Sequence, residues 1–101
     1  MSFQHLSVPQ LVKLQEKSAV TLVDIRDQQS YLRGHIPKSQ WIHEGNVDEF
    51  IASADLDIPL VVCCYHGNAS QGAADHFFRQ GFEDVYSLDG GFTAWAGQQP
   101  N

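Results

Sequence analysis

Basic side chains are scarce in this chain. Six Lys and Arg stand against twelve Asp and Glu, a net charge of −6 over 101 residues. The six (Lys13, Lys17, Arg26, Arg33, Lys38 and Arg79) are scattered, so no patch is set to meet a phosphate backbone, and no nucleic acid is expected as a partner. The same scarcity argues against an anionic membrane surface. Long apolar runs are missing as well. The longest, Pro59 to Tyr65, is far too short to span a bilayer. Met1 to Gln10 carries neither the positive start nor the apolar stretch of a signal peptide, so the expected location is cytoplasmic. Cysteine is limited to the adjacent pair Cys63 and Cys64. Neighbouring cysteines rarely bridge, because a disulfide needs Cβ vectors that converge, and nothing here demands an oxidising compartment.

What is present is globular in character. Hydrophobic residues make up 43% and aromatics 11% of the chain, which is enough for the core of one small domain over residues 1–101 and too little for two. Short apolar runs alternate with helical spacing. Val20 to Asp24, Leu60 to Cys64 and Val85 to Leu88 read as strands, with a short one at Gln40 to His43 and an edge strand at Phe3 to Leu6. Ser7 caps a helix over Val8 to Lys17, and Asp27 caps another over Gln28 to Arg33 that Gly34 stops. Val47, Phe50 and Ile51 mark a helix over Asn46 to Ala54. Ala69, Ala73 and Phe77 mark one over Asn68 to Gln80, ended by Gly81. Strands apolar on both faces and interleaved with helices predict an α/β fold, a central parallel β-sheet flanked by helices on both faces.

Ligands in such sheets bind beyond the carboxyl ends of the strands. That rule points to Cys64-Tyr65-His66-Gly67-Asn68-Ala69-Ser70, which runs from a strand end through a tight loop into a helix. Curled amides at the positive end of a helix dipole form an anion nest, and Gly67 permits the turn. A thiol held there loses its proton more easily and becomes a nucleophile. A free cysteine is as commonly a small buried hydrophobe, and residue chemistry leaves both readings of Cys64 open. Strand alternation aims Cys63 the other way, into the core.

The loop has the logic of a C-x5-R phosphatase loop, but Ser70 occupies the arginine's place, and nothing remains to clamp phosphoryl oxygens bidentately. His66 is the remaining ionisable group, suited to anion binding or proton transfer and equally to a solvent-facing role. Cys63, Cys64 and His66 make no metal site, since adjacent cysteines diverge and no second ligand pair completes a tetrahedron. No cofactor is implied.

At this loop the chain resembles the rhodanese family of sulfurtransferases, and within it the single-domain thiosulfate sulfurtransferases. Four segments carry the resemblance: Val23-Asp24-Ile25-Arg26-Asp27, Gly34-His35-Ile36-Pro37, Cys64 to Ser70, and Leu88-Asp89-Gly90-Gly91-Phe92-Thr93-Ala94-Trp95. The resemblance implies a rhodanese-like domain in which Cys64 takes the sulfane sulfur of thiosulfate, releases sulfite, and passes the sulfur from a persulfide to cyanide or a thiol such as thioredoxin. It also implies that Tyr65, His66, Gly67, Asn68, Ala69 and Ser70 bind the substrate, and that the chain is a monomer or weak homodimer. Tyr65 and Ala69 stand where many rhodaneses carry arginine, which implies weak thiosulfate binding. Lys38 and Ser39 replace the usual Gly-Ala after Gly-His-Ile-Pro, and Lys38 is a candidate for the pocket rim. Asp24 and Arg26 are expected to pair structurally, His35 to bond backbone, and Phe92 and Trp95 to anchor the core. Alternatives on the same scaffold are a phosphatase or arsenate reductase, and a non-enzymatic sulfur carrier or regulatory module.

Overall fold

Five short segments form the sheet, the three central ones apolar and the two edge ones largely polar. A computed structural model describes residues 2–98, and in it these segments are β1 (Gln4–Leu6), β2 (Thr21–Asp24), β3 (Gln40–Trp41), β4 (Leu60–Cys63) and β5 (Val85–Leu88). They pair in the order β1-β5-β4-β2-β3, every pair parallel. The register sets Asp24 beside Cys63 and Val62 beside Ser87. Central β4 is buried along its whole length, as a strand covered on both faces must be.

Alternation divides the core into two layers. Val23, Leu60, Val62 and Val85 face one side, where Phe50, Ala74, Phe77 and Phe82 cover them. Leu22, Val61, Cys63 and Leu88 face the other, against Val8, Leu11 and Ile36. The helices are α1 (Val8–Lys17), α2 (Gln28–Arg33), α3 (Val47–Ser53), α4 (Ala69–Arg79) and α5 (Gly91–Gly97). α3 and α4 supply the first layer, α1 and α5 the second. Their starts follow the sequence. Ser7 and Gln10 form a reciprocal capping box on α1, and the Asp27 carboxylate accepts from the Ser30 amide on α2. α4 differs: Asn68 stands at its cap position without a side-chain bond, leaving first-turn amides to another acceptor.

Some expected boundaries shift. β4 ends at Cys63, so Cys64 lies in the loop and not in the strand, and β3 stops at Trp41 because the Asn46 side chain takes over its edge through Trp41 O and the His43 amide. Phe92 and Trp95 are half-buried, packed against the second layer from outside rather than within it.

Candidate active site

Cys64 is the first residue beyond the carboxyl end of β4, and the loop it opens curls back over its own sulfur. The Gly67 amide donates to Sγ at 3.1 Å and the Ser70 amide at 3.3 Å, while Ser70 Oγ lies 3.2 Å away. Ser70 is in the first turn of α4, so the sulfur takes the place that the side chain of Asn68 leaves empty, and sits at the positive end of the helix dipole. Gly67 adopts φ +91°, a left-handed conformation that lets successive amides converge on one point. Cys64 is 3% exposed yet belongs to neither core layer. The thiol is thus buried among hydrogen-bond donors rather than among apolar neighbours.

The two cysteines diverge in chemistry. Burial pushes the Cys64 thiol up, but the Ser70 hydroxyl and the amides of Ser70, Gly67 and His66 outweigh that and hold it below the ordinary thiol value. Cys63 points into the second layer, where burial, with the neighbouring Asp24 charge adding to it, pushes its thiol up to about 12. Cys63 is therefore an inert core residue.

The closing segment of the chain holds the loop from below. The Phe92 amide donates to Cys64 O at 2.8 Å and the Thr93 amide to Tyr65 O at 3.1 Å. Gly91, at φ +57°, lets this backbone approach so closely that a Cβ there would lie 2.7 Å from the Tyr65 carbonyl carbon. The early Asp-x-Arg segment supports the same place from the side. Arg26 Nε and the amide of Arg26 bond the Asp24 carboxylate, and a second guanidinium nitrogen bridges Asp24 at 2.8 Å and Gly34 O at 2.7 Å. The guanidinium lies over the Phe92 ring at 4.0 Å and the Tyr65 ring at 5.7 Å. It is spent on these partners, so it braces the loop instead of opening toward a substrate.

Not every loop residue faces inward. Tyr65, His66, Asn68 and Ala69 are exposed, whereas Gly67 and Ser70 are buried. Tyr65 reaches across to α2, its hydroxyl 2.6 Å from Ser30 Oγ. His35 Nδ1 lies 2.9 Å from Tyr31 O and its ring stacks on Tyr31, the backbone-bonding place expected of it. Lys38 lines a cleft with Ser18, Ala19 and Val20, at the amino end of β2 and so at the opposite end of the sheet from Cys64. It is not at the rim, because Ile36 and Pro37 carry the chain down the flank of the sheet before β3 begins. Ser87, absent from the sequence reading, lies beneath the site with its Oγ 2.8 Å from Ser70 Oγ. A serine inside an apolar strand was the available signal. Among the described residues, no group of three or more His, Cys, Asp or Glu side chains is placed to hold a metal.

A family model for the rhodanese-like domain matches residues 7–98. Relatives called thiosulfate sulfurtransferase GlpE include one from Pseudomonas paraeruginosa, 56% identical over 98% of this chain and 89% of its own length. Another, from Shewanella oneidensis, is 55% identical over 93% of both chains. Among solved structures, a rhodanese-like domain protein from Staphylococcus aureus superposes with a TM-score of 0.80 at 23% identity, over 92% of this chain and 91% of its own. A Rhodopseudomonas palustris protein of unknown function, described as a possible tyrosine phosphatase, gives a TM-score of 0.80 at 30% identity over 99% of this chain and 86% of its own. With matches over nearly its whole length, the chain belongs to the rhodanese family.

Proposed function

We propose that the chain is a thiosulfate sulfurtransferase in which Cys64 is both nucleophile and sulfur carrier. The observation that carries this reading is the set of donors converging on Cys64 Sγ. The thiolate attacks the sulfane sulfur of thiosulfate. A sulfur–sulfur bond forms, and the bond to the sulfonate sulfur breaks with its electron pair leaving on sulfite. The product is a cysteine persulfide anion. The amides of His66, Gly67 and Ser70 hold Cys64 Sγ, so they stabilise the thiolate that attacks and the thiolate that leaves at the end of the cycle, and being fixed by the fold they need no reorganisation. Cyanide or a thiolate then attacks the outer sulfur and leaves as thiocyanate or a persulfide, restoring the Cys64 thiolate.

The exposed residues Tyr65, His66, Asn68 and Ala69 form the approach to the loop for donor and acceptor. Cyanide and small thiols are compact enough to approach a sulfur that is 3% exposed, and thioredoxin is the protein thiol proposed as acceptor. Ser70, inward and neutral where a phosphatase loop would carry arginine, favours sulfur transfer over phosphate-ester chemistry. No helix among the described residues is long and apolar enough to cross a membrane, and a cytoplasmic location fits the reduced state that Cys64 needs.

The deciding experiment is thiocyanate formation from thiosulfate and cyanide, with intact mass read in parallel. Thiosulfate should add one sulfur atom, cyanide should remove it, and Cys64→Ser should lose both the mass gain and the activity. Full activity in Cys64→Ser overturns the reading.

A further inference from the structure

Ser87 lies in β5, on the far side of Ser70 from the reactive sulfur. Both serines are fully buried. Their hydroxyl oxygens are 2.8 Å apart, and Ser70 Oγ is 3.2 Å from Cys64 Sγ, so the three groups form a continuous chain from the sheet interior to the nucleophile. Ser70 Oγ is the one hydrogen-bond partner of the Ser87 hydroxyl among the described residues. A serine inside the central sheet, beside Val62 in the register, carries the desolvation cost of a hydroxyl that valine or alanine would avoid.

We propose that Ser87 is a positioning residue: by donating its proton to Ser70 Oγ it turns the Ser70 hydroxyl proton onto the sulfur of Cys64. The argument is a count of hydrogens. With Cys64 as a thiol, the chain holds one S–H and two O–H groups, and whichever way it runs, one hydrogen is left without an acceptor. If the thiol donates to Ser70, Ser70 donates to Ser87, and the Ser87 hydrogen is stranded in the core. With Cys64 as an anion, Ser87 donates to Ser70, Ser70 donates to sulfur, and every hydrogen is used. A buried unsatisfied donor is costly, so the chain favours the anionic sulfur of Cys64 over its thiol.

Other polar groups near the loop do not compete for this role. Asp24, the last residue of β2, is taken by Arg26, Asp89 by His5 in β1, Asp75 by Arg79 on α4, and Asp27 by Ser30 on α2. Cys63 faces the opposite side of β4, Asp84 beside β5 accepts from Tyr86, and His66, His76 and Arg33 are exposed.

The inference rests on Cys64 being the reactive thiol, and its test reads that thiol directly rather than through sulfur transfer. The rate of Cys64 alkylation by iodoacetamide is followed against pH in the full chain and its variants. Ser87→Ala should move the midpoint upward and slow alkylation at neutral pH by about two- to tenfold. Ser87→Cys, nearly the same size with a weaker donor, should fall between and covers the case in which the alanine variant does not fold. In a Ser70→Ala background, Ser87→Ala should change the midpoint no further, because Ser87 reaches sulfur only through Ser70. An unchanged midpoint in folded Ser87→Ala or Ser87→Cys, or an equal shift in the Ser70→Ala background, overturns the inference. Loss of transfer in Cys64→Ser stands or falls separately.

Discussion

Gly91 packs directly beneath Cys64. Its missing side chain lets the first amides of α5 reach Cys64 O and Tyr65 O, and a Cβ at Gly91 would press into those same carbonyls. The loop is thus shaped from both ends: its own amides and Ser70 in the first turn of α4 supply donors to the sulfur, and α5 fixes the carbonyls of Cys64 and Tyr65. One consequence is that the nest cannot relax without losing two backbone bonds.

Gly91→Ala should therefore damage activity more than its distance from solvent suggests. A left-handed non-glycine residue costs about 1–3 kcal/mol, before counting the clash with the Tyr65 carbonyl. The expected result is a Tm lower by at least several degrees, at about 4–8 °C per kcal/mol in a domain of this size, and a transfer rate down about tenfold or more. Calorimetry and the thiocyanate assay check it. Wild-type activity in the folded variant would mean that the α5 amides do not shape the loop.

The strand pattern, the caps of α1 and α2 and the separation of Cys63 from Cys64 were legible from residue order, since each depends on near neighbours: alternation for the cysteines, a side-chain oxygen three residues from an amide for the caps. The turn of the loop around its own sulfur was legible for the same reason, as Cys64 and the amides lie within seven residues, while residue chemistry left both roles of Cys64 open. What was not legible depends on pairing across the sheet. Nothing in local order puts Ser87 under Ser70, places the guanidinium of Arg26 against Phe92, or sends Lys38 to the far end of the fold. Those contacts join segments many residues apart, and the parallel register alone brings them together.

Lys38 has φ 71°, among the described residues the one non-glycine in the left-handed region. It occupies the place after Gly-His-Ile-Pro where glycine is usual in the resembling family, and the backbone explains that preference. Left-handed geometry costs a residue with a Cβ roughly 1–2 kcal/mol, against about 0.5–1 kcal/mol for the extra unfolded-state freedom of glycine. Lys38→Gly should stabilise the fold by about 0.5–1 kcal/mol and leave transfer unchanged, because the residue stands away from Cys64. A urea melt and the thiocyanate assay measure both. A fall in activity would return Lys38 to the site.

Thiosulfate carries two negative charges, and the loop from Cys64 to Ser70 contains no Lys or Arg side chain to pair with them. Ala69 is exposed at the first position of α4, one residue before Ser70. Ala69→Arg should lower the KM for thiosulfate while leaving kcat within about twofold, since charge-assisted contacts are worth roughly 1.5–3 kcal/mol when well formed and less at an exposed site. Salt should erode the gain, as it screens exposed charge. A KM that stays put in the folded variant would show that side-chain charge is not what limits binding.

The two thiols should separate cleanly with pH. Cys64, held below the ordinary thiol value, should alkylate at neutral pH with a midpoint under that of a free thiol, while Cys63, up at about 12, should stay unlabelled until the protein unfolds. Peptide mapping after iodoacetamide should find one modified cysteine in the native state and two in denaturant. Stability follows with opposite signs. The folded value of Cys64 is depressed, so its contribution is present above the unfolded thiol value and is lost as pH falls through the lower folded value. The folded value of Cys63 is raised, so its contribution is complete below the ordinary 9.0 and is lost as pH climbs from there toward about 12. Native Cys63 keeps a proton that the unfolded chain gives up, which makes alkaline unfolding the expected failure of the wild type. Cys63→Ala removes that loss at the cost of a small cavity, so its stability should decline less steeply than the wild type's between pH 9 and pH 11. Parallel slopes in the two proteins, or native labelling of Cys63, would place Cys63 outside the sealed layer between β4 and α1.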